Sequence, residues 1–150
     1  MIIRRSIPAD AAKIAELETA IFPDPWSQTD IAAAISVTGA MCYTALGDDG
    51  EIYAYVLGRT IAPEGEIYRV ATAPERRQRG IAFRLMTFAI KTEKGSGLEN
   101  LFLEVRSQNL AAIKLYAALS FKQIGRRKNY YKNPDDDAIL MMRSSEPMII

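Results

Sequence analysis

The hydrophobic residues of the chain follow two periodicities that alternate along it. Short runs rich in β-branched and aromatic residues, bounded by turn residues, predict strands, whereas apolar residues three or four positions apart predict amphipathic helices. Ile14, Leu17 and Ile21 form one such helical set. The segments that this pattern predicts as strands are residues 2–7, 41–46, 52–60, 66–72, 100–106, 121–131 and 138–143.

Capping and helix-breaking residues delimit the helices. Pro23 and Pro25 end the first helix, because proline cannot lie in a helix interior, and Ser27 has the position of an N-cap for a second helix that runs to Ile35. Two further helices are predicted over residues 81–94 and 109–119, and residues 144–150 are expected to form a loose tail.

The predicted elements follow one another in the order β-α-α-β-β-β-α-β-α-β-β. Hairpins early in the chain and βαβ crossovers later predict an α/β (mixed α+β) fold, in which a mixed, mostly antiparallel sheet carries helices on both faces. No repeat or linker divides the 150 residues, so we expect a single domain over residues 1–150.

The composition excludes several kinds of site. The sequence contains no histidine and a single cysteine, Cys42, which excludes catalytic triads with histidine, histidine metal sites, cysteine metal clusters and intramolecular disulfides; we expect no metal. The net charge of +1 gives no bulk attraction to nucleic acid or membranes. The N-terminus lacks the apolar stretch of a signal peptide, so we expect a cytoplasmic protein with no nucleic-acid or membrane partner.

A polar, basic loop precedes the third predicted helix. Its arginines, Arg76, Arg77 and Arg79, raise the local electrostatic potential, and the helix N-terminus offers unpaired backbone N–H groups. Gly80 and the small Ala82 would let a pyrophosphate approach the main chain. These residues alone are compatible with a phosphate site and with a solvated basic loop.

The same loop carries a family resemblance. The pattern Arg77-x-x-Gly80-x-Ala82 after a strand resembles the coenzyme A-binding signature of the GCN5-related N-acetyltransferase (GNAT) superfamily, in which many members have glycine at the last position. That superfamily has the element order predicted above, so the resemblance covers nearly the whole chain. Four separated motifs are similar to the RimI-type ribosomal-protein alanine N-acetyltransferases: residues 25–27, 103–116, 126–131 and 137–141. Ser120 departs from the glycine that is usual there.

The resemblance implies acetyl-coenzyme A (acetyl-CoA) as a cosubstrate. In the family, the strand that matches residues 70–72 splays from its neighbour, pairs with the pantetheine arm and can polarise the thioester carbonyl through a backbone N–H group. Asn109 has the position of an N-cap, and the resemblance adds a contact to the pantetheine. The complete set implied for the cosubstrate is Val70, Ala71, Thr72, Arg77, Gln78, Arg79, Gly80, Ile81, Ala82, Phe83 and Asn109.

The resemblance also implies two catalytic residues. Glu104 lies in an otherwise apolar predicted strand, where a buried carboxylate is costly unless it has partners or a function. The matching glutamate of the RimI-like group is the general base, acting through water. Tyr116 matches the residue that donates a proton to the departing coenzyme A thiolate. Two structural alternatives stay open: a carboxylate paired with an arginine such as Arg106 or Arg69, and a tyrosine of the core.

These features predict an enzyme that transfers an acetyl group directly from acetyl-CoA to a primary amine in a ternary complex. The resemblance implies the N-terminal amine of a protein, typically the alanine of a ribosomal protein, as the acceptor. A lysine side chain, a small-molecule amine (polyamine, aminoglycoside or metabolite) and a non-catalytic coenzyme A-binding role remain alternatives. We expect residues 22–26 and 130–131 to flank the acceptor groove, with Trp26 either a wall of this groove or a packing residue between the first two helices.

Overall fold

The computed structural model describes residues 1–144. The predicted order of strands and helices is confirmed, with ends that differ by a few residues. Ser144 closes the last strand, so the prediction of a tail is wrong at this residue; residues 145–150 lie outside the described residues. The elements are β1 (Ile2–Arg5), α1 (Ala11–Ile21), α2 (Gln28–Ser36), β2 (Tyr43–Leu46), β3 (Ile52–Ile61), β4 (Glu64–Thr72), α3 (Ile81–Gly95), β5 (Asn100–Arg106), α4 (Leu110–Ala118), β6 (Lys122–Tyr131) and β7 (Asp136–Ser144), with single 3-10 turns at Pro8–Asp10 and Pro74–Arg76.

The described residues form one seven-stranded sheet in the order β1-β2-β3-β4-β5-β7-β6. All neighbouring strands are antiparallel except β4 and β5, which are parallel and are joined through α3. A parallel pair needs such a crossover, because the chain must return to the same end of the sheet. The prediction of a mixed, mostly antiparallel sheet is therefore confirmed.

Helices cover both faces of the sheet, as predicted. On one face, Ile14 of α1 and Ile31 of α2 pack in a cluster with Tyr55 and Leu57 of β3. On the other face, a larger cluster joins α3 and α4 to β2, β3, β5 and β7. None of the helices in residues 1–144 combines the length and apolar composition needed to cross a bilayer.

A β-bulge in β4 shapes the middle of the sheet. Ile67 pairs with Gly58 of β3, and Arg69 pairs with Leu57, which leaves Tyr68 as an extra residue without a partner. Such an insertion bends the strand and increases its local twist. The parallel pairing of β4 with β5 ends at the same point, with Ile67 opposite Leu103. Beyond this pair, β4 pairs only with β3 and β5 only with β7, so a slot opens between them.

Candidate active site

The loop between β4 and α3 presents a row of free backbone amides. Gln78 (φ 63°) and Gly80 (φ 73°) both have left-handed backbone conformations, which turn neighbouring N–H groups toward a common side. The first backbone bond of α3 runs from the N–H group of Arg84 to the carbonyl of Gly80, at 3.1 Å. Within residues 1–144, no hydrogen bond uses the amides of residues 78–83. An anion-binding loop requires this arrangement.

The side chains of this loop have unequal access to a ligand. Arg77 donates through Nε to the carbonyl of Thr72, at 3.3 Å, and Arg76 lies over the ring of Tyr53, at 4.1 Å. Arg79 is exposed. The three arginines therefore do not converge as one cluster. The side chain of Ile81 is buried in the core, so its main chain alone is available to a cosubstrate.

The end of β4 forms one wall of the slot. Val70, Ala71 and Thr72 pair with β3 along one edge, while their other edge faces the slot. The side chain of Ala71 is buried with α1 and α2, and that of Val70 packs against the opposite core cluster. The main chain of these residues is thus what the slot presents to a ligand.

Tyr116 and Asn109 are positioned by α4. The side chain of Asn109 caps this helix by accepting a hydrogen bond from the N–H group of Ala112, at 3.2 Å, as its sequence position predicted. Tyr116 is buried, with its ring centroid 5.6 Å from that of Phe121, as expected for a core tyrosine. Burial raises the pKa of the Tyr116 phenol, and Tyr131 raises it further. The raised pKa keeps the phenol protonated at neutral pH, and its hydroxyl makes no hydrogen bond within residues 1–144.

Glu104 lies on the face of β5 that no helix covers. The strand alternates strictly: Leu101, Leu103 and Val105 point into the core, and Glu104 points to the opposite face. Its side chain is 29% exposed, so the prediction of a buried carboxylate is wrong. The alternation of side chains along β5 determines the face of the sheet on which Glu104 lies. Because no helix covers that face above β5, solvent reaches the carboxylate.

Glu104 does not pair with Arg106 or Arg69, the two arginines that the sequence suggested as its structural partners. Its carboxylate lies 3.5 Å from Nε of Arg127, and a hydrogen bond from Tyr130 to Glu104 raises the pKa of that tyrosine. Arg106 instead donates to the carbonyls of residues 132 and 134, at 3.1 and 2.7 Å. Arg69 is bound to Glu18. Arg106 and Arg69 are therefore not its partners, although Glu104 does pair with an arginine, Arg127. Both of its neighbours, Arg127 and Tyr130, belong to β6.

The hairpin of β6 and β7 holds two tyrosines beside Glu104. The rings of Tyr130 and Tyr131 are in edge contact at 5.0 Å, and burial raises the pKa of Tyr131 to about 12, with a further contribution from Glu104. Asp136 fastens the hairpin to the loop after β5, because its carboxylate accepts from the hydroxyl of Ser107 and from the N–H group of Gln108. Residues 130–131 thus lie beside Glu104, and their expected place at the acceptor groove stays a prediction.

The loop between α1 and α2 lies against the bulge of β4. The ring of Trp26 is 5.8 Å from that of Tyr68 and also packs on the cluster formed by α1 and α2. Beneath it, the fully buried Glu18 accepts from the N–H group of Trp26, at 3.0 Å. Sequence reasoning missed Glu18, although its spacing from Ile14 and Ile21 puts a carboxylate on the buried face of α1.

A cleft of about 570 Å³ opens beside Glu104, over the part of the sheet face that α1 and α2 leave uncovered. Its lining is mixed, with carboxylates, aromatic rings and aliphatic side chains, and it offers space for an acceptor next to the carboxylate. Among residues 1–144, no three side chains of the metal-binding types converge on one point. The lining includes Glu66, Tyr68, Phe102, Glu104, Ile124 and Leu140.

Comparisons with known proteins agree with this geometry. The sequence model of the acetyltransferase (GNAT) family matches residues 11–121. The [ribosomal protein bS18]-alanine N-acetyltransferase of Haemophilus ducreyi is 32% identical over 93% of this chain and 97% of its own. The N-alpha-acetyltransferase RimI of Mycobacterium tuberculosis is 32% identical over 91% and 88%. The crystal structure of the Escherichia coli ribosomal-protein-S18-alanine N-acetyltransferase has the same fold, with a TM-score of 0.86 over 99% of both chains at 24% identity. This chain therefore belongs to the GNAT family of acetyltransferases and resembles its ribosomal-protein-alanine members.

Proposed function

We propose that this N-acetyltransferase acetylates the N-terminal amine of a protein, with acetyl-CoA as the donor and the N-terminal alanine of a ribosomal protein as the acceptor. The observation that carries the proposal is the position of Glu104, partly exposed between the slot and the cleft. Two relatives whose names state this type of activity match nearly the whole chain. A ribosomal acceptor would place the reaction in the cytoplasm.

The free main-chain groups of the slot and of its loop fit acetyl-CoA, which supplies an acetyl group activated as a thioester. The unpaired amides of residues 78–83 would hold the pyrophosphate, with no side chain required. The open edge of residues 70–72 would pair with the pantetheine, and Asn109, the N-cap of the helix that follows β5, would contact the pantetheine as well. One N–H group of that edge would stabilise the negative charge that develops on the carbonyl oxygen.

Glu104 would act as the general base. An acceptor amine must lose its proton before it can attack, and the carboxylate of Glu104 would take this proton directly or through one water molecule. An N-terminal amine has an ordinary pKa of about 8, whereas that of a lysine side chain is about 10.4, so the N-terminal amine gives up its proton more readily. This difference favours a protein N-terminus as the acceptor.

Tyr116 would act as the general acid. Its raised pKa keeps the phenol protonated at neutral pH, and no described residue competes for that proton. The hydroxyl would donate to the sulfur as the carbon–sulfur bond breaks, which prevents a thiolate from accumulating in a buried site. The protein side of the reaction thus consists of one proton accepted at Glu104 and one donated by Tyr116, with both substrates held together.

Two peptides that differ in one feature test the acceptor. One has a free N-terminal alanine and no lysine; the other has a blocked N-terminus and one internal lysine. We expect acetylation of the first peptide alone, measured by mass spectrometry after incubation with acetyl-CoA. Product on the second peptide alone would contradict the proposed acceptor and leave the acetyltransferase activity intact, and product on neither would direct the search to small amines.

A further inference from the structure

We infer that Glu18 and Arg69 are positioning residues for the acceptor: together they hold residues 22–26 in place against Tyr68, a side chain that lines the cleft beside Glu104. The inference rests on the proposed function, because it assigns a task in acceptor binding. It concerns a buried network outside the residues that contact the reacting groups.

Glu18 is the centre of this network. Its side chain is completely buried, at the C-terminal half of α1. One carboxylate oxygen accepts from Nη2 of Arg69, at 3.0 Å, and the other accepts from the hydroxyl of Tyr55, at 2.5 Å. The N–H group of Trp26 donates to it from the loop, at 3.0 Å. A buried carboxylate needs all of these donors, since each lost partner leaves charge without compensation.

Arg69 contacts the start and the middle of the loop as well as Glu18. Its guanidinium donates to the carbonyl of Asp24, at 2.8 Å, and stacks on the ring of Phe22, at 3.7 Å. The planar guanidinium group makes these contacts at fixed angles, which a lysine ammonium cannot reproduce. The guanidinium of Arg69 and the carboxylate of Glu18 therefore fix the backbone conformation of residues 22–26 from the side of the core.

The network connects this loop to the strand that opens the slot. Arg69 directly follows Tyr68, the extra residue of the bulge, and Trp26 packs on the ring of Tyr68. The bulge thus places the free edge of β4 and the loop 22–26 relative to each other. Loss of the network would move the loop and, through Trp26, the side chain of Tyr68 in the cleft, while the phosphate-binding amides of residues 78–83 have no part in it.

The chain contains a matched control on the other face of the sheet. Glu93 of α3 is also buried, accepts from the hydroxyl of Tyr43 and lies 3.2 Å from Nη2 of Arg5. The chemistry is the same as at Glu18: a carboxylate, a tyrosine and an arginine. Neither Tyr43 nor Arg5 contacts the loop 22–26 or the cleft. A purely structural effect of losing a buried carboxylate should therefore be the same at both places.

The experiment compares Glu18→Gln, Arg69→Lys and Glu93→Gln in steady-state kinetics with the alanine peptide. We expect Glu18→Gln to raise the KM for the peptide about tenfold and to leave the KM for acetyl-CoA within about twofold, because misplacement affects one substrate. Arg69→Lys, which keeps the charge, should give a smaller rise in the peptide KM. Glu93→Gln should lower the thermal midpoint as Glu18→Gln does, and leave both KM values unchanged.

Trp26 gives a readout that needs no activity, because it is the single tryptophan of the sequence. Acrylamide should quench its fluorescence more strongly in Glu18→Gln than in the wild type or in Glu93→Gln. Equal changes of the peptide KM in Glu18→Gln and Glu93→Gln, or unchanged quenching in Glu18→Gln, would overturn the inference. If the wild type acetylated no peptide, the proposed function would fail, and the quenching comparison would still decide whether Glu18 holds the loop.

Discussion

Ile67 of β4 and Leu103 of β5 form the last pair of the parallel ladder, and Glu104 is the next residue of β5. Glu104 has a partner on β7, Leu140, and none on β4. The bulge that ends the pairing therefore also determines which carboxylate lies at the mouth of the slot. A base at this point can reach an amine in the cleft while the slot holds the donor.

Glu104→Gln tests the general base. The substitution keeps the shape of the side chain and removes its ability to take a proton, so we expect kcat/KM to fall about 100- to 1,000-fold. The free energy of unfolding should change by less than about 1 kcal/mol, because the ion pair with Arg127 is partly exposed and long. Both quantities are measured by peptide kinetics and urea denaturation.

Arg127→Gln is the control for this variant. If Glu104 served only as the partner of Arg127, removal of either side chain would have the same effect on activity. The proposal requires that Arg127→Gln retain most of the activity. A similar loss in both variants would refute the assignment of Glu104 as the base.

Tyr116→Phe tests the proton donor. The ring remains packed on Phe121, and the lost hydroxyl has no hydrogen-bond partner in residues 1–144, so stability should change by less than about 1 kcal/mol. The rate of acetyl transfer should fall about 100-fold in single-turnover measurements. Tyr43→Phe provides the opposite case: its hydroxyl donates to the buried Glu93, so its loss should cost about 1 to 3 kcal/mol and leave the rate unchanged.

Gly80→Ala tests the phosphate loop. The added methyl group meets no atom within 4 Å, but the residue has φ 73°, where alanine costs about 1 kcal/mol. We expect this loss of stability together with a higher KM for acetyl-CoA, because the amides of the loop shift. Gly50, in the turn between β2 and β3, resembles Gly80: an added methyl group would meet no atom within 4 Å, and its φ is 81°.

Gly50→Ala is thus the matched control, and it should lose about the same stability, again about 1 kcal/mol, with no change in either KM. Isothermal titration with coenzyme A and thermal denaturation distinguish the two variants. An unchanged affinity for coenzyme A in Gly80→Ala would argue against this loop as the phosphate site.

Local patterns predicted the elements of this fold, but not how they meet. Periodicity and capping predicted the order of strands and helices, and the position of Gly80 before a helix pointed to the loop whose backbone amides are unpaired. The bulge at Tyr68 could not be predicted, because an unpaired residue is defined by the register of β3 rather than by its own sequence. The neighbours of Glu104 depend in the same way on the pairing of β6 with β7, which contains two irregularities.

Glu18 is a different case, because the sequence carried its signal. A carboxylate spaced with Ile14 and Ile21 on a helix has to be buried and therefore needs partners. Its partners come from β3, β4 and the loop after α1, which are distant in sequence. The sequence pattern indicated that Glu18 needs buried hydrogen-bond partners. It could not indicate that these partners are Arg69 and Tyr55, because only the fold brings them to Glu18.

Asp136→Asn tests how the hairpin of β6 and β7 is held, through the pH dependence of stability. Asp136 accepts hydrogen bonds from the hydroxyl of Ser107, which has the largest effect, and from the N–H groups of Gln108 and Asp137. Together they lower the pKa of Asp136 below its ordinary value of 3.8. A carboxyl group whose pKa is lower in the folded state stabilises the fold fully above its unfolded pKa. This contribution is lost as the pH falls through the folded pKa.

Urea denaturation of the wild type and of Asp136→Asn, from pH 7 down to pH 2, measures this contribution. The wild type should be the more stable protein at pH 7, and the difference should shrink as the pH falls below the ordinary pKa of 3.8 and through the lower pKa of folded Asp136. The comparison isolates Asp136, because the other carboxylates titrate in both proteins. A difference that stays constant down to pH 2 would mean that the ionised carboxylate does not hold the hairpin, and the position of Tyr130 beside Glu104 would then need another cause.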